Sequence, residues 1–311
     1  MLVGVIVICA IGLIATLLPA TSAYSAYLVR STTRSAGVDV PVDQLPALQV
    51  RARRRAQGAG FGVLVGGVVL LVVVLLWPEG REQPTGGYVV FSVLAVCSGA
   101  GLALVEILRP GDVAEGPRWA RSIAPTLDDY VPPWARVLQR VLVGVGLGAL
   151  GGTLLLTQSR WFDAPAIWRS PAVFLLAAVP LLVLLSRLAS RRVLDAPQPA
   201  RDAQELYWQD ALRANTLTTL TAAPAVVSVV ALLVSGAALD EAASVAAVAS
   251  GQLGPAWTQW LLIGGYVVPV LLLFGVASLA LAASAGGVDA VHFRRRLWPT
   301  DGPVDAGTGE R

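Results

Sequence analysis

Long runs of apolar residues, separated by short polar segments, form the dominant pattern along this chain. A membrane-spanning helix needs about 20 mostly apolar residues, and seven runs approach that length. They lie at about 2–20, 61–77, 88–108, 138–157, 171–188, 217–238 and 259–284. The second run is short and the seventh is long, which helix tilt accommodates. The pattern predicts an all-α, polytopic integral membrane protein with seven transmembrane helices.

The first run ends in small residues, PATSA at 19–23, that would suit signal-peptide cleavage. A secretory signal has a positive charge before its apolar core, whereas MLVGVIV has none. We therefore expect this run to be retained as the first span. Residues 1–298 are predicted to form a single helical membrane domain, and the polar tail 299–311 is expected to be disordered in the cytoplasm.

Composition supports a membrane protein and removes several kinds of chemistry. Hydrophobic residues make up 55% of the chain and charged residues 14%, against about 25% charged in soluble domains. All 23 basic residues are arginine, which excludes a lysine Schiff base and suggests a high-GC bacterial genome. Two cysteines in apolar runs and a single histidine favour neither a disulfide framework nor a metal site.

The arginines are distributed asymmetrically between successive loops. Most follow the first, third, fifth and seventh runs, and the intervening loops contain only Arg81, Arg160 and Arg169. Short arginine-rich loops stay on the cytoplasmic side, so we expect the N-terminus outside and the C-terminus inside, in a bacterial plasma membrane. The densest cluster, which we expect to fix orientation and to contact anionic inner-leaflet lipids, comprises Arg51, Arg53, Arg54 and Arg55.

Glycines recur in the fourth run. Gly144, Gly148 and Gly152 are four residues apart, a spacing that lets helices approach closely in membranes. The stretch also matches G-x-G-x-x-G at 146–151, but a dinucleotide site needs a preceding strand. We expect the three glycines to pack against another helix, within the protein or in a partner.

Glu106 is the one ionisable residue clearly inside a predicted span, and a carboxylate there is a functional hypothesis, such as a proton relay. It lies three residues before Arg109 and near the cytoplasmic end. We expect a structural ion pair that reaches the interface, with the relay as the alternative.

Two cytoplasmic segments have polar patterns of interest. Asp128 and Asp129 could suggest a Mg²⁺ site, but no further carboxylates occur at suitable spacing, so a capping role is predicted. Residues 200–215 contain a capping signature from Asp202 to Glu205 and one apolar face. They predict a short amphipathic helix on the inner leaflet, with a solvated connector as the alternative.

The order of runs and loops suggests an internal duplication. GGYVV occurs at 86–90 and 264–268, and runs one to three and five to seven each enclose a long basic loop and then a short one. This predicts a parallel 3+1+3 repeat, which is similar in architecture to the SWEET sugar transporters. No sequence motif of that family occurs here, so the resemblance implies nothing about substrate.

Three functions fit these patterns. No H-E-x-x-H or G-x-S-x-G motif is present, so we expect no enzyme, cofactor, metal or nucleic-acid partner. The first hypothesis is a non-catalytic accessory or assembly component with a membrane-protein partner or a second copy of itself. The alternative is a permease for a weakly charged solute, supported by the repeat and by proline in three late runs at 180, 224 and 269. A lipid-processing enzyme would have only Glu106, Asp128 and Asp129 to use.

Overall fold

The fold is entirely helical in the part of the chain that the structure describes. The computed structural model describes residues 2–36, 45–76, 86–108, 125–197, 200, 203–286 and 288–298, and within these ranges it contains no strand. The α-helices are α1 (Leu2–Leu17), α2 (Ser22–Ala36), α3 (Leu45–Leu76), α4 (Gly86–Leu108), α5 (Leu127–Tyr130), α6 (Pro133–Leu155), α7 (Ala164–Arg169), α8 (Pro171–Asp195), α9 (Ala203–Ser250), α10 (Ala256–Gly286) and α11 (Val288–Leu297). The all-α class is therefore confirmed.

Four helical segments are long and apolar enough to cross a membrane. They are Ala52–Val72, Pro133–Gln158, Pro171–Asp195 and Ala203–Ser250. Shorter apolar helical segments lie at Val5–Ala20, Ser92–Leu108 and Ala256–Leu272. Each of the seven predicted runs thus coincides with a helix. Four of these helices are both long enough and apolar enough to span a membrane. The total of seven spans, the orientation and the repeat remain predictions.

Two helices begin well before the apolar runs that they contain. Helix α3 starts at Leu45 and includes the arginine cluster, and α9 starts at Ala203 and continues for 48 residues. The prediction of a separate amphipathic helix over 200–215 is therefore wrong. An interfacial helix would leave one face in water, whereas Tyr207, Trp208 and Asp210 on this turn are at most 1% exposed.

Helix α9 is the central element of the bundle. Of its span residues 72% are buried, against 22–39% in the other three spans. It contacts α4, α6, α8 and α10, while α3 lies between α1 and α4. Near its far end, Tyr266 on α10 donates a hydrogen bond to Asp240 over 3.2 Å. The charge-free stretch 214–239 extends about 39 Å at 1.5 Å per residue, which exceeds the hydrocarbon thickness of about 30 Å.

Glycine allows α1, α3 and α4 to pack with their backbones nearly touching. A Cβ atom built on Gly60 would lie 2.6 Å from the Ala15 carbonyl oxygen of α1. One built on Gly101 of α4 would lie 2.6 Å from the Gly58 carbonyl oxygen of α3. A side chain at either position would push the helices apart, so α3 uses glycine on two faces at once.

Proline does not break the late helices. Helices α8, α9 and α10 each continue through an internal proline, at Pro180, Pro224 and Pro269 respectively. Spanning helices tolerate proline where neighbouring groups satisfy the freed backbone carbonyl. These prolines could either be accommodated within continuous helices or mark the discontinuous helices of many transporters. The structure favours continuous helices.

Candidate functional site

A fully buried carboxylate connects three helices at the start of α9. Asp210 is 0% exposed. It accepts hydrogen bonds from the Tyr130 hydroxyl over 2.8 Å and from the Trp298 indole nitrogen over 3.1 Å. Tyr130 ends α5 and Trp298 follows α11, so a single side chain joins α5, α9 and α11. We call these three residues the Asp210 clamp.

Aromatic rings pack beside the Asp210 clamp. The Tyr207 ring centroid lies 5.5 Å from that of Phe293 and 5.6 Å from that of Trp298. Arg294 lies over the face of Tyr207 at 5.9 Å, within the range of a cation–π contact. The apolar partners of Asp210 are therefore contributed by α11 as well as by α9 itself.

The electrostatics of the clamp keep the tyrosine protonated. Burial raises the pKa of Tyr130, and the negative charge of Asp210 and its hydrogen bond raise it further, while Arg213 opposes both effects. Arg213 is 5% exposed and donates a hydrogen bond to the Ala196 carbonyl oxygen. Tyr130 is thus a permanent donor to Asp210 near neutral pH, which suits a structural contact.

Asp129 caps α5, as predicted for this pair of aspartates, whereas Asp128 pairs with a residue of α6. Asp129 Oδ2 accepts hydrogen bonds from the backbone nitrogen and the hydroxyl of Thr126, both over 2.9 Å. Asp128 pairs with Arg136 at the start of α6, and Asp129 lies 3.9 Å from Arg296 of α11. Among the described residues, no three His, Cys, Asp or Glu side chains form a group that could hold a metal ion.

Glu106 pairs with an arginine that the sequence did not indicate. It is 4% exposed, and its Oε1 lies 4.0 Å from Arg55 Nε. Arg55 also donates to the Thr216 hydroxyl over 3.4 Å and to the Asn215 carbonyl oxygen over 3.3 Å. The predicted partner, Arg109, lies outside the described residues. Arg55 therefore links α3 to α4 and α9.

The arginine cluster consequently has more than one role. Arg53 is exposed, Arg54 and Arg55 are partly buried, and the Arg51 side chain is not among those described. An exposed Arg53 is available to anionic lipid, whereas Arg55 faces other helices. Contact of the cluster with lipid remains a prediction.

The predicted glycine face is open within the described chain. A Cβ atom built on Gly144, Gly148 or Gly152 would meet no described atom within 4 Å. One built on the buried Gly146 would lie 2.9 Å from Ser228 of α9. The glycine spacing indicated that α6 packs closely against another helix. It did not show that the close contact with α9 is made at Gly146. For the other three glycines, contact with a partner remains a prediction.

Apolar side chains fill the contact between the two predicted triplets. Ala95, Val96 and Ala100 of α4 pack against a buried cluster that includes Leu182 of α8 and Val227 of α9. The Tyr266–Asp240 hydrogen bond lies towards one end of the bundle, whereas the contacts of Asp210, Asp129 and Glu106 lie at the other, arginine-rich end.

A cavity opens between α6, α8 and α9 at that same end. Its volume is about 340 Å³, and it is lined by four arginines among other residues: Arg136, Arg140, Arg187 and Arg191. The sequence assigned the arginines after the third and fifth runs to orientation alone. Their spacing of four residues within each helix was a signal that they share a face, but which helices face each other could not be read from the chain.

The chain matches no protein-family model, no curated protein and no solved structure. Within the described residues, the arrangement offers buried, hydrogen-bonded polar groups and a basic cavity. The Asp210 clamp and the Glu106–Arg55 pair can hold helices in place, and the cavity can attract an anion.

Proposed function

We propose that the protein is a non-catalytic accessory or assembly component of a membrane complex in the bacterial plasma membrane. In this proposal it crosses the membrane seven times, with its N-terminus outside. The carrying observation is the apolar contact between the triplets, where Ala95, Val96 and Ala100 of α4 meet α8 and α9. Transporters of this general plan bind substrate near the membrane midplane, at the junction of their repeats. An apolar junction supports a structural protein.

The open glycine face supports a partner. Gly144 and Gly148 are exposed on α6, and Val141 and Val145 beside them are 53% and 43% exposed. Small residues let a second helix approach closely, which increases van der Waals contact in lipid. We therefore assign α6 as the helix that a partner protein or a second copy of this chain contacts.

A pull-down from native membranes tests this function. The chain offers a matched pair of glycines, because a Cβ atom at Gly148 of α6 or Gly264 of α10 would meet nothing within 4 Å. We expect Gly148→Leu to lose the partner that co-purifies with the wild type, and Gly264→Leu to keep it. Equal recovery from both variants, or a wild type that purifies as a monomer without a partner, would count against an accessory role.

The orientation has its own test by cysteine labelling. Gln158 and Arg295 are both exposed and lie at opposite ends of the predicted topology. In a chain whose Cys9 and Cys97 are replaced by alanine, we expect an impermeant thiol reagent to label Gln158→Cys in intact cells. Arg295→Cys should react only after lysis, and the reverse order would refute the orientation.

A permease is the second candidate, and one observation favours it. In each triplet the middle helix, α3 or α9, lies between the other two and begins with an extension before its apolar run. Shared helix order fits a parallel repeat. Solute uptake by proteoliposomes in a pH gradient, lost in Glu106→Gln, would replace the accessory function with transport.

A further inference from the structure

The cavity between α6 and α8 concentrates positive charge. Arg136 and Arg140 lie four residues apart on α6, and Arg187 and Arg191 have the same spacing on α8. Like charges at this spacing repel one another. Within the described residues, Arg136 pairs with Asp128, and no ion pair to an acidic side chain is found for the other three. An anion in the cavity would relieve this repulsion.

Two buried polar atoms of the cavity lining have no partner in the described structure. Ser186 is 3% exposed and lines the cavity, and its hydroxyl oxygen forms no hydrogen bond there. The Nε atom of Arg136 is also buried without a partner. Buried polar groups are nearly always satisfied in native proteins. Both groups can donate a hydrogen bond, and an anion with several oxygens in the cavity would supply acceptors.

The cavity lining contains apolar residues as well as arginines. Val143 lies further from the start of α6 than Arg140 does, and Val183 lies further from the end of α8 than Arg187 does. Both valines line the cavity, as does Leu220 of α9. Leu127 and Leu194 line the cavity beside the arginines. The cavity therefore offers both charged and apolar contacts, which suits a ligand with one charged end and one apolar end.

We propose that this cavity binds the phosphate of an anionic phospholipid headgroup from the adjacent leaflet. Guanidinium groups bind phosphate oxygens in a bidentate manner, and basic pockets between spanning helices bind anionic headgroups. The volume of about 340 Å³ lies at the lower end of the range for small-molecule sites, roughly 300–1,000 Å³. The glycerol and the first acyl carbons would contact the apolar part.

The experiment compares two neighbouring arginines. Arg191 and Arg192 are both exposed on α8, but only Arg191 is among the cavity-lining residues. Full-length protein in neutral detergent is titrated with phosphatidylglycerol, and bound lipid is measured by native mass spectrometry. We expect Arg191→Gln to weaken binding by about tenfold, equivalent to about 1.4 kcal/mol, because the variant loses a charged donor to the phosphate. Arg192→Gln should bind like the wild type. Equal losses would show attraction to surface charge in general and would overturn the site.

A second variant distinguishes loss of lipid binding from misfolding of the protein. Ser186→Ala removes the unpartnered hydroxyl, so we expect lipid-free thermal stability at or above that of the wild type, with weaker stabilisation by phosphatidylglycerol. Unchanged stabilisation by the lipid would overturn the role of Ser186. In the last part of the experiment, inorganic phosphate and glycerol phosphate are tested as competitors of the lipid. If either competes at concentrations similar to the lipid, the ligand is a soluble phosphate and the assignment to lipid is wrong.

Discussion

Replacing Asp210 by alanine tests whether the clamp stabilises the arginine-rich end of the bundle. The carboxylate is fully buried and accepts hydrogen bonds from Tyr130 over 2.8 Å and from Trp298 over 3.1 Å. Its removal leaves the buried Tyr130 hydroxyl and the Trp298 indole without this acceptor. It also removes the negative charge one turn from Arg213, which is 5% exposed.

The expected loss of unfolding free energy is large, and the contribution of the Tyr130 hydrogen bond can be measured separately. Leaving a buried donor without its acceptor costs about 1–3 kcal/mol, and the two donors here give a combined loss of about 2–6 kcal/mol. We therefore expect Asp210→Ala to lower the free energy of unfolding by about that amount. Tyr130→Phe keeps the ring and removes one hydrogen bond to a charged acceptor, so about 1.5–3 kcal/mol is expected.

The assay is unfolding of the purified protein in mixed detergent micelles with increasing dodecyl sulfate, followed by tryptophan fluorescence. Asp195→Asn is the matched control, since Asp195 is an exposed aspartate at the end of α8. Exposed substitutions of this kind change stability by about 0.5 kcal/mol or less. If Asp210→Ala unfolds at the same midpoint as Asp195→Asn, the clamp contributes nothing and the reasoning fails.

Three further predictions follow from single contacts. Gly146→Leu should cost at least about 1–3 kcal/mol by overpacking, whereas Gly148→Leu should leave the thermal stability of the isolated protein unchanged; equal melting temperatures would contradict this. Glu106→Gln and Arg55→Gln should each cost about 1–3 kcal/mol, and the double variant should cost less than their sum; strict additivity in the same unfolding assay would exclude the pair. Because the folded state raises the pKa of Tyr130, it holds this proton more tightly than the unfolded state. Stability should be intact below about pH 10, the ordinary tyrosine value, and fall as pH rises above it; a Tyr130→Phe variant with the same alkaline slope would disprove this.

The sequence located the helices better than it located their ends. Apolar runs identify what lies in lipid, so the polar beginnings of α3 at Leu45 and of α9 at Ala203 gave no hydrophobic signal. Glycine spacing had a similar limit. Gly58 and Gly62 have the same four-residue spacing as the predicted face on α6, yet they are the ones that meet α4. Glycine spacing shows that one face of a helix lacks side chains. Whether another helix packs on that face depends on where the neighbouring helix lies.

The candidate site depended on contacts between distant parts of the chain. Asp210 meets Tyr130 across 80 residues and Trp298 across 88, so the local pattern around Asp210 suggested only a surface helix. Likewise, Arg136 and Arg187 were assigned to orientation, because nothing in either helix indicates that both line one cavity. Local capping at Asp129 was predictable, since its partner Thr126 is only three residues away.

The length of α9 is sufficient for one helix to make contacts on both sides of a membrane. Asp210 and Asp240 are thirty positions apart on one uninterrupted helix, or about 45 Å, which exceeds the hydrocarbon thickness of about 30 Å. At one end α9 is attached to α5 and α11 through Asp210, and at the other to α10 through Tyr266. One continuous helix therefore connects the contact with α10 at one end of the bundle to the contacts with α5 and α11 at the other.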